Sequence, residues 1–391
     1  MITVSEAKRI IADNVKSLSP VEMLLSEAAG HTLAKNVFST TDIPPFDQSA
    51  MDGYAIIFDQ NREYILKGEV PAGASEGLKI SNGEAARIFT GAPLPYGANA
   101  VVRQEKVHVN NGKIVISAEE LTPGSNVRKK GAEIQKGGLA MVADSYLSPA
   151  ALGFLAGVGL EKVSVFPLPT VSIIVTGNEL QTPGTELTYG QVYESNSFSL
   201  RAALQKVGVK EINVVQANDN LEALSQKLLV SLGKADVVLL TGGVSVGEYD
   251  FVLQASKACG VQQLFHKIKQ RPGKPLYFGK KDEKLVFGLP GNPASVLNCY
   301  YNYVLPAIEL LAQKKSSVQK IQTRLANQYH KKAGLTHFLK GDYHDGMVTA
   351  LPGQESFKLS SFAQANCLIV LDEEQTTYDA NEMVEVLLLP L

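Results

Sequence analysis

VSIIVTG (171–177), EINVVQA (211–217), ADVVLLTGG (235–243) and KLVFGLPG (284–291) are short runs rich in apolar and β-branched residues. Between and after them, SFSLRAALQKVG (197–208), NLEALSQKLLVSLG (220–233), YDFVLQASKACG (249–260) and ASVLNCYYNYVLPAIELLAQ (294–313) carry apolar residues at helical spacing. Apolar strands alternating with helices are what a parallel sheet covered on both faces requires. Residues 167–317 are therefore expected to form a three-layer α/β domain.

The pattern changes on either side of this region. Residues 3–30 show helical periodicity twice, in SEAKRIIADNVKSL after a Ser/Thr cap and in PVEMLLSEAAG, which opens on Pro20 and ends at Gly30. Both read as short surface helices. From about Pro44 short strands follow one another between Gly, Pro and Asn, most clearly in VHVNNGKIVIS, where Asn110, Asn111 and Gly112 join two alternating runs. SPAALGFLAGVGL (148–160) then returns to a helix-like pattern and can pack back on the N-terminal helices. This organisation predicts a helical N-terminal domain (1–44 plus 141–166) with an inserted β domain (45–140), and a C-terminal β barrel or sandwich (318–391) after the α/β domain.

A chain of 391 residues exceeds the roughly 250–300 at which single cores stop growing. Lys plus Arg (37) nearly balance Asp plus Glu (39), so no overall field favours nucleic acid or an anionic membrane, and any anion site has to be built locally. The start lacks a secretory pattern, and the longest nearly uncharged apolar stretch, 150–160, falls far short of the ~20 residues of a membrane span. A cytoplasmic protein is the expectation. Cys259, Cys299 and Cys367 are odd in number and far apart, which suits reduced thiols rather than disulfides or a CxxC metal site. The six histidines form no HExxH or other close ligand pair, so no structural zinc is expected.

Ligands of a parallel α/β sheet gather beyond the carboxyl ends of its strands. TGNEL (176–180), TGGVSVGEYD (241–250), RPGKP (271–275) and GLPGNPAS (288–295) all belong at that edge, with Thr176, Gly177, Glu179, Gly242, Gly243, Ser245, Asp250, Pro290, Gly291 and Asn292 among their residues. Glycines in TGGVSVGEYD permit close backbone approach, the following helix start suits a phosphate, and Asp250 suits Mg²⁺; the same loop also reads as a plain strand-to-helix turn. Neither GxGxxG nor GxxxxGK[ST] is present. Asp219 is either a site acid or the cap of the next helix. HKIKQRPGKP places Lys267, Lys269, Arg271 and Lys274 within eight positions, with Pro272 and Pro275 stiffening the bend around Gly273. A tetrahedral oxyanion would be well served there, although basic runs are commonly only solvated faces. Ser295 reads either as an anion contact or as a helix cap. In the β domain, Asp52 in PPFDQSAMDGYA and Thr90 in TGAPLP carry little meaning alone.

Taken together, PFDQSAMDGYA, RIFTGAPLP, TGNEL, TGGVSVGEYDF, RPGKP and GLPGNPAS resemble, in order and over nearly the whole chain, the MoeA family, which includes the E domain of gephyrin. The resemblance implies the four-domain plan above and insertion of molybdate into adenylyl-molybdopterin with release of AMP. It assigns Asp52, Thr90, Glu179, Asp219 and Asp250 to the adenylylated pterin and its Mg²⁺, with Glu179 and Asp250 as metal ligands, and Lys267, Lys269, Lys274 and Ser295 to molybdate. It also implies a homodimer, and as partners a MogA-type adenylyltransferase and molybdoenzyme chaperones. A β domain inserted at two points, near Pro44 and near Gly138, need not fold back over its own α/β domain, so the expectation is a shared site in which Asp52 and Thr90 of one subunit face Lys274 and Asp250 of the other. Two positions depart from the family pattern: Asn178 stands where Asp is usual, and Lys340 where Arg is frequent. ESFKLSSFAQAN resembles a serine-bearing family segment, with Ser356, Ser360 and Ser361 all open as the matching residue. The rival readings are a MogA-like molybdopterin adenylyltransferase, which shares the α/β domain but not the extra β domains, and a non-enzymatic gephyrin-like scaffold.

Overall fold

The structure is a computed structural model that describes residues 1–117, 120–242 and 251–390. It divides into two compact units, Met1–Val21 with Phe166–Leu391, and Glu22–Val165.

In the first unit a six-stranded sheet is built from β1 (Val171–Thr176), β2 (Ile212–Ala217), β3 (Val237–Thr241), β4 (Gln262–Lys267), β5 (Pro275–Lys281) and β6 (Lys284–Leu289), in the order β2-β1-β3-β6-β5-β4. The four strands read from the sequence are mutually parallel. The other two, β4 and β5, were not anticipated; β5 pairs antiparallel with β6 and β4 antiparallel with β5, which makes the sheet mixed. Side chains alternate across it: Ile173, Val175 and Leu239 enter one core, while Ile174, Val238 and Leu240 enter the core on the opposite face. Each fully buried side chain of this size is worth about 1.5–3 kcal/mol, so covering both faces is what holds the domain. All three cysteines are buried and free.

Helix α1 (Val4–Asn14) begins at a capping box, in which Thr3 accepts from the Glu6 amide while Glu6 accepts from the Thr3 amide. It is not a free surface helix: Ala7 and Ile11 are buried in the α/β core, and Ile2 bridges in parallel to Ile268. The last helical stretch runs from Pro293–Cys299 through a π turn, Tyr300–Val304, into Leu305–Leu311. Beyond it, Gln319–Leu325, Thr336–His344, Met347–Ala350, Cys367–Leu371 and Met383–Leu388 close into a barrel, because Thr336–His344 pairs with both Met347–Ala350 and Cys367–Leu371. Of the two C-terminal expectations, the barrel is the one found.

In the second unit, six strands pair in the order Ala100–Arg103, Gly53–Ile56, Glu84–Ile88, Glu63–Val70, Lys113–Ile116, Val107–Asn110. The Asn111-Gly112 turn joins the last two, with positive φ at both residues (47° and 72°), as a tight hairpin demands. Pro149–Gly157 forms the anticipated helix, capped by Ser148. The second N-terminal helix does not form: Val21–Leu24 is a strand, paired in a sheet with Lys162–Phe166, and only Leu25–Glu27 makes a 3₁₀ turn. Its apolar spacing fits either period, and the available strand partner decides between them. No helix among the described residues is long and apolar enough to cross a membrane.

Candidate active site

At the carboxyl edge of the α/β sheet lies a cleft of about 980 Å³. Its walls include Glu179, Glu194, Asn196, the whole 270–275 segment, Pro290, Gly291, Asn292 and Ser295 from the α/β side, and Leu335, Gln354, Glu355, Ser356 and Phe357 from the barrel. Of the residues singled out from the sequence, Glu179, Pro272, Gly273, Lys274, Pro275, Pro290, Gly291, Asn292 and Ser295 converge on this one space.

The strand ends explain the glycines. Gly242 has φ +82°, and a Cβ there would lie 2.2 Å from the Thr176 carbonyl oxygen, so β1 and β3 approach as closely as only glycine permits. Thr176 is buried beneath this contact and serves the strand end rather than the cleft surface. Gly177, at φ +145°, turns the chain so that the Glu179 carboxylate folds back over it. Asp219 is exposed beyond the end of β2, where its amide donates to Asn178 Oδ1 at 3.3 Å. The helix that follows is capped by Asn220, whose side chain accepts from Ala223, which leaves the Asp219 carboxylate free of that duty. Neither Glu179 nor Asp219 pairs with a cation among the described residues, where no group of three or more potential metal-ligating side chains occurs. Gly243, Ser245 and Asp250 lie outside the described residues.

The 267–275 segment is fastened from three sides. Ile2 bonds to the backbone of Lys267 and Lys269 at 3.1 and 2.8 Å, the Thr336 amide donates to the Lys269 carbonyl at 3.0 Å, and the Ile268 amide closes the bend on the Lys274 carbonyl at 3.0 Å. The basic residues consequently part ways. Lys269 spends its charge on Glu373 at 2.6 Å, a contact that raises its pKa, and neither it nor Lys267 lines the cleft. Lys274 is exposed on the cleft wall without an acidic partner among the described residues, and Arg271 lines the same wall. Ser295, with 3% exposure, is the third residue of its helix; Asn292 holds the cap position and donates to Ser356 Oγ at 2.8 Å. Ser295 is therefore not the cap.

Ser356 is also the serine of its segment that reaches the cleft, whereas Ser361 is turned inward to donate to the Pro352 carbonyl at 2.6 Å. Behind this loop Lys340, only 3% exposed, donates to the carbonyls of Gly353, Glu355 and Lys358 at 2.5, 3.2 and 3.1 Å. Its three protons hold the loop that supplies Glu355, Ser356 and Phe357 and are not directed at a ligand; burial lowers its pKa. In the other unit Asp52 and Thr90 do meet. The Asp52 carboxylate accepts the Thr90 amide at 2.7 Å and its hydroxyl at 2.8 Å, bonds that hold its pKa below the ordinary value. The sequence reading passed over Gln270 and Asn298, fully buried and bonded to the 272–273 carbonyls. Isolated amides in otherwise apolar or basic runs were the available signal.

Three family models match in succession: MoeA N-terminal region (domain I and II) over residues 2–159, probable molybdopterin binding domain over 172–310, and MoeA C-terminal region (domain IV) over 322–389. A Haemophilus influenzae protein named molybdopterin molybdenumtransferase is 33% identical over 397 residues, covering 99% of this chain and 98% of its own. A namesake from Nostoc is 35% identical over 382 residues, covering 93% and 87%. Among solved structures, the molybdopterin biosynthesis MoeA protein of Pyrococcus horikosii superposes with a TM-score of 0.84 at 30% identity over 99% of both chains. With relatives this similar over their whole length, the chain belongs to the MoeA family.

Proposed function

We propose that this protein is a molybdopterin molybdenumtransferase acting in the cytoplasm, which inserts molybdate into adenylyl-molybdopterin and releases AMP. The observation that carries the reading is the division of charge in the cleft: Arg271 and Lys274 stand on one wall without an acidic partner among the described residues, and the Glu179 carboxylate on another. Molybdate is a dianion and the adenylyl linkage a second anion. A site that joins them has to offset one charge and polarise the other without letting the two repel.

In this reading Lys274, Arg271 and Ser295 hold the oxyanion against the 270–275 bend. Glu179 and Asp219, exposed at the ends of adjacent parallel strands, together with Asp250, would hold Mg²⁺, an ion that takes one or two carboxylates and completes its shell with water and substrate phosphate. Bound there, it supplies Lewis-acid polarisation of the phosphoanhydride during loss of AMP. Gly177 and Gly242, with Thr176 buried beneath them, let the pterin nucleotide approach the strand ends, and Gly243 and Ser245 belong by sequence to the stretch that follows Gly242. The chain contributes position and charge, with no covalent nucleophile.

The test is to supply the purified protein with adenylyl-molybdopterin, Mg²⁺ and molybdate. AMP release coupled to cofactor formation is expected, and absence of both sinks the proposal. ATP consumption with metal-free molybdopterin would point instead to adenylyl transfer. Lys274→Ala should raise the KM for molybdate by about tenfold or more while binding of the pterin nucleotide persists, and high molybdate should restore the rate. Loss of nucleotide binding instead would place this lysine on the other substrate. We further propose the four-domain division at 44, 140, 166 and 317, and a homodimer whose active site is shared between subunits.

A further inference from the structure

Pro272 and Gly273 carry the bend that displays Arg271 and Lys274, and their carbonyls have to be bonded inside the protein. Asn298 Nδ2 donates to the Pro272 carbonyl at 3.1 Å, and Gln270 Nε2 to that of Gly273 at 2.8 Å. Both amides have 0% exposure, so bulk solvent does not reach them. Each is oriented by a further side chain. Asn302 Nδ2 donates to Asn298 Oδ1 at 3.2 Å, Lys8 Nζ donates to Asn302 Oδ1 at 3.1 Å, and Tyr303 Oη donates to Gln270 Oε1. Two chains of bonds thus end on the same bend, one of them beginning on helix α1.

The π turn is what makes the geometry possible. Pro306 lies in the middle of the continuous helical stretch from Pro293 to Leu311, where it has no amide to donate and its ring crowds the preceding turn. The helix answers by widening: the Leu305 amide bonds to the Tyr300 carbonyl, five residues back. Asn302 Nδ2 also donates to the Asn298 carbonyl at 3.1 Å, within the widened region. The result presents Asn298, Asn302 and Tyr303 together toward the 270–273 segment. Gly273 packs so tightly beneath it, at φ +84°, that a Cβ would stand 2.6 Å from Cys299 Sγ. The bend has nowhere to relax to while these bonds hold.

We infer that Asn298 and Gln270, oriented by Asn302, Lys8 and Tyr303, are positioning residues that fix the Arg271–Lys274 bend for oxyanion binding. The inference rests on the proposed reading of Lys274 as a molybdate-side residue. None of the five is a catalytic residue. They act by keeping two cations in one place, and displacement of a binding group by about 1 Å can cost up to a hundredfold in rate.

The test measures kcat and molybdate KM at saturating adenylyl-molybdopterin, with nucleotide affinity measured separately, for Asn298→Ala, Tyr303→Phe and Lys274→Ala. Asn298→Ala is expected to raise molybdate KM about tenfold and leave nucleotide affinity unchanged. A merely structural role would reduce the folded fraction, lowering kcat with KM unaltered, and that result overturns the inference. Tyr303→Phe keeps the ring and removes only the hydroxyl that orients Gln270, so it decides the matter if Asn298→Ala does not fold. A smaller rise in KM is expected, and an unchanged KM overturns the positioning role. If Lys274→Ala raises molybdate KM and the other two do not, only positioning fails. If Lys274→Ala leaves it unchanged, the oxyanion reading fails and this inference with it.

Discussion

His337 shows how the basic site bears on a single residue. It sits 7% exposed on the barrel strand that pairs with Arg271, and burial, with Lys331 and Arg271 adding their charge, pushes its pKa down from 6.5 to about 4. The unfolded chain therefore takes up a proton near pH 6.5 that the folded chain refuses until about pH 4. Stability contributed by this residue is present above pH 6.5 and is lost as pH falls through that window, by at most about 3 kcal/mol. Urea midpoints recorded from neutral pH down to pH 4 should fall less steeply in His337→Gln than in the parent; equal slopes would show that other groups carry the acid sensitivity. At this scale the sequence was only partly legible. Lys274 and Glu179 could be placed at the strand edge because motif and sheet logic agree. That Lys269 is consumed by Glu373, or that Lys340 serves three carbonyls, depends on partners between 13 and 104 residues away, which no local pattern encodes.

Elements were legible where both faces of a strand or one stripe of a helix are apolar. The four parallel strands and the helices between them were read correctly because their periodicity has one physical solution. Strands β4 and β5 flank the polar HKIKQRPGKP, and each carries polar residues of its own, Gln262, Gln263, His266 and Lys267 in β4 and Lys280 and Lys281 in β5, which mask a strand pattern. Helix α1 was found, but its role was not: a spacing that reads as a surface helix instead delivers Ala7 and Ile11 to the α/β core and Lys8 to Asn302. Its capping box is correspondingly consequential. Thr3→Ala removes the acceptor for the Glu6 amide, and thermal or urea unfolding should show a loss of about 1 kcal/mol. Because the Ile2 amide, next to the cap, donates to the Lys267 carbonyl and the Lys269 amide donates to the Ile2 carbonyl, exchange at the Ile2 and Lys269 amides should quicken in the variant. Unaltered protection there would mean that the N-terminal strand pairing holds without the helix.

At the scale of the whole molecule the open matter is assembly. Asp52 and Thr90 belong to the unit formed by Glu22–Val165, and Lys274 to the unit formed by Met1–Val21 with Phe166–Leu391. The Asp52 carboxylate is already locked by two bonds from Thr90, so it presents a fixed group and needs no rearrangement to meet a ligand. A ligand that carries two anionic centres gains from exclusion of water, since each electrostatic contact strengthens as the local dielectric falls. A cover supplied by a second subunit would achieve that, which is why we propose a homodimer with Asp52 and Thr90 of one subunit serving Lys274 and Asp250 of the other. Complementation tests it directly. Asp52→Ala and Asp250→Ala proteins should each be inactive alone. If the site is shared, an exchanged dimer carries both lesions in one site and none in the other, and recovers up to half the parental activity per mixed dimer. If each chain builds its own site, every site keeps a lesion, so a mixture in which differently tagged subunits demonstrably exchange and activity stays absent refutes the shared arrangement.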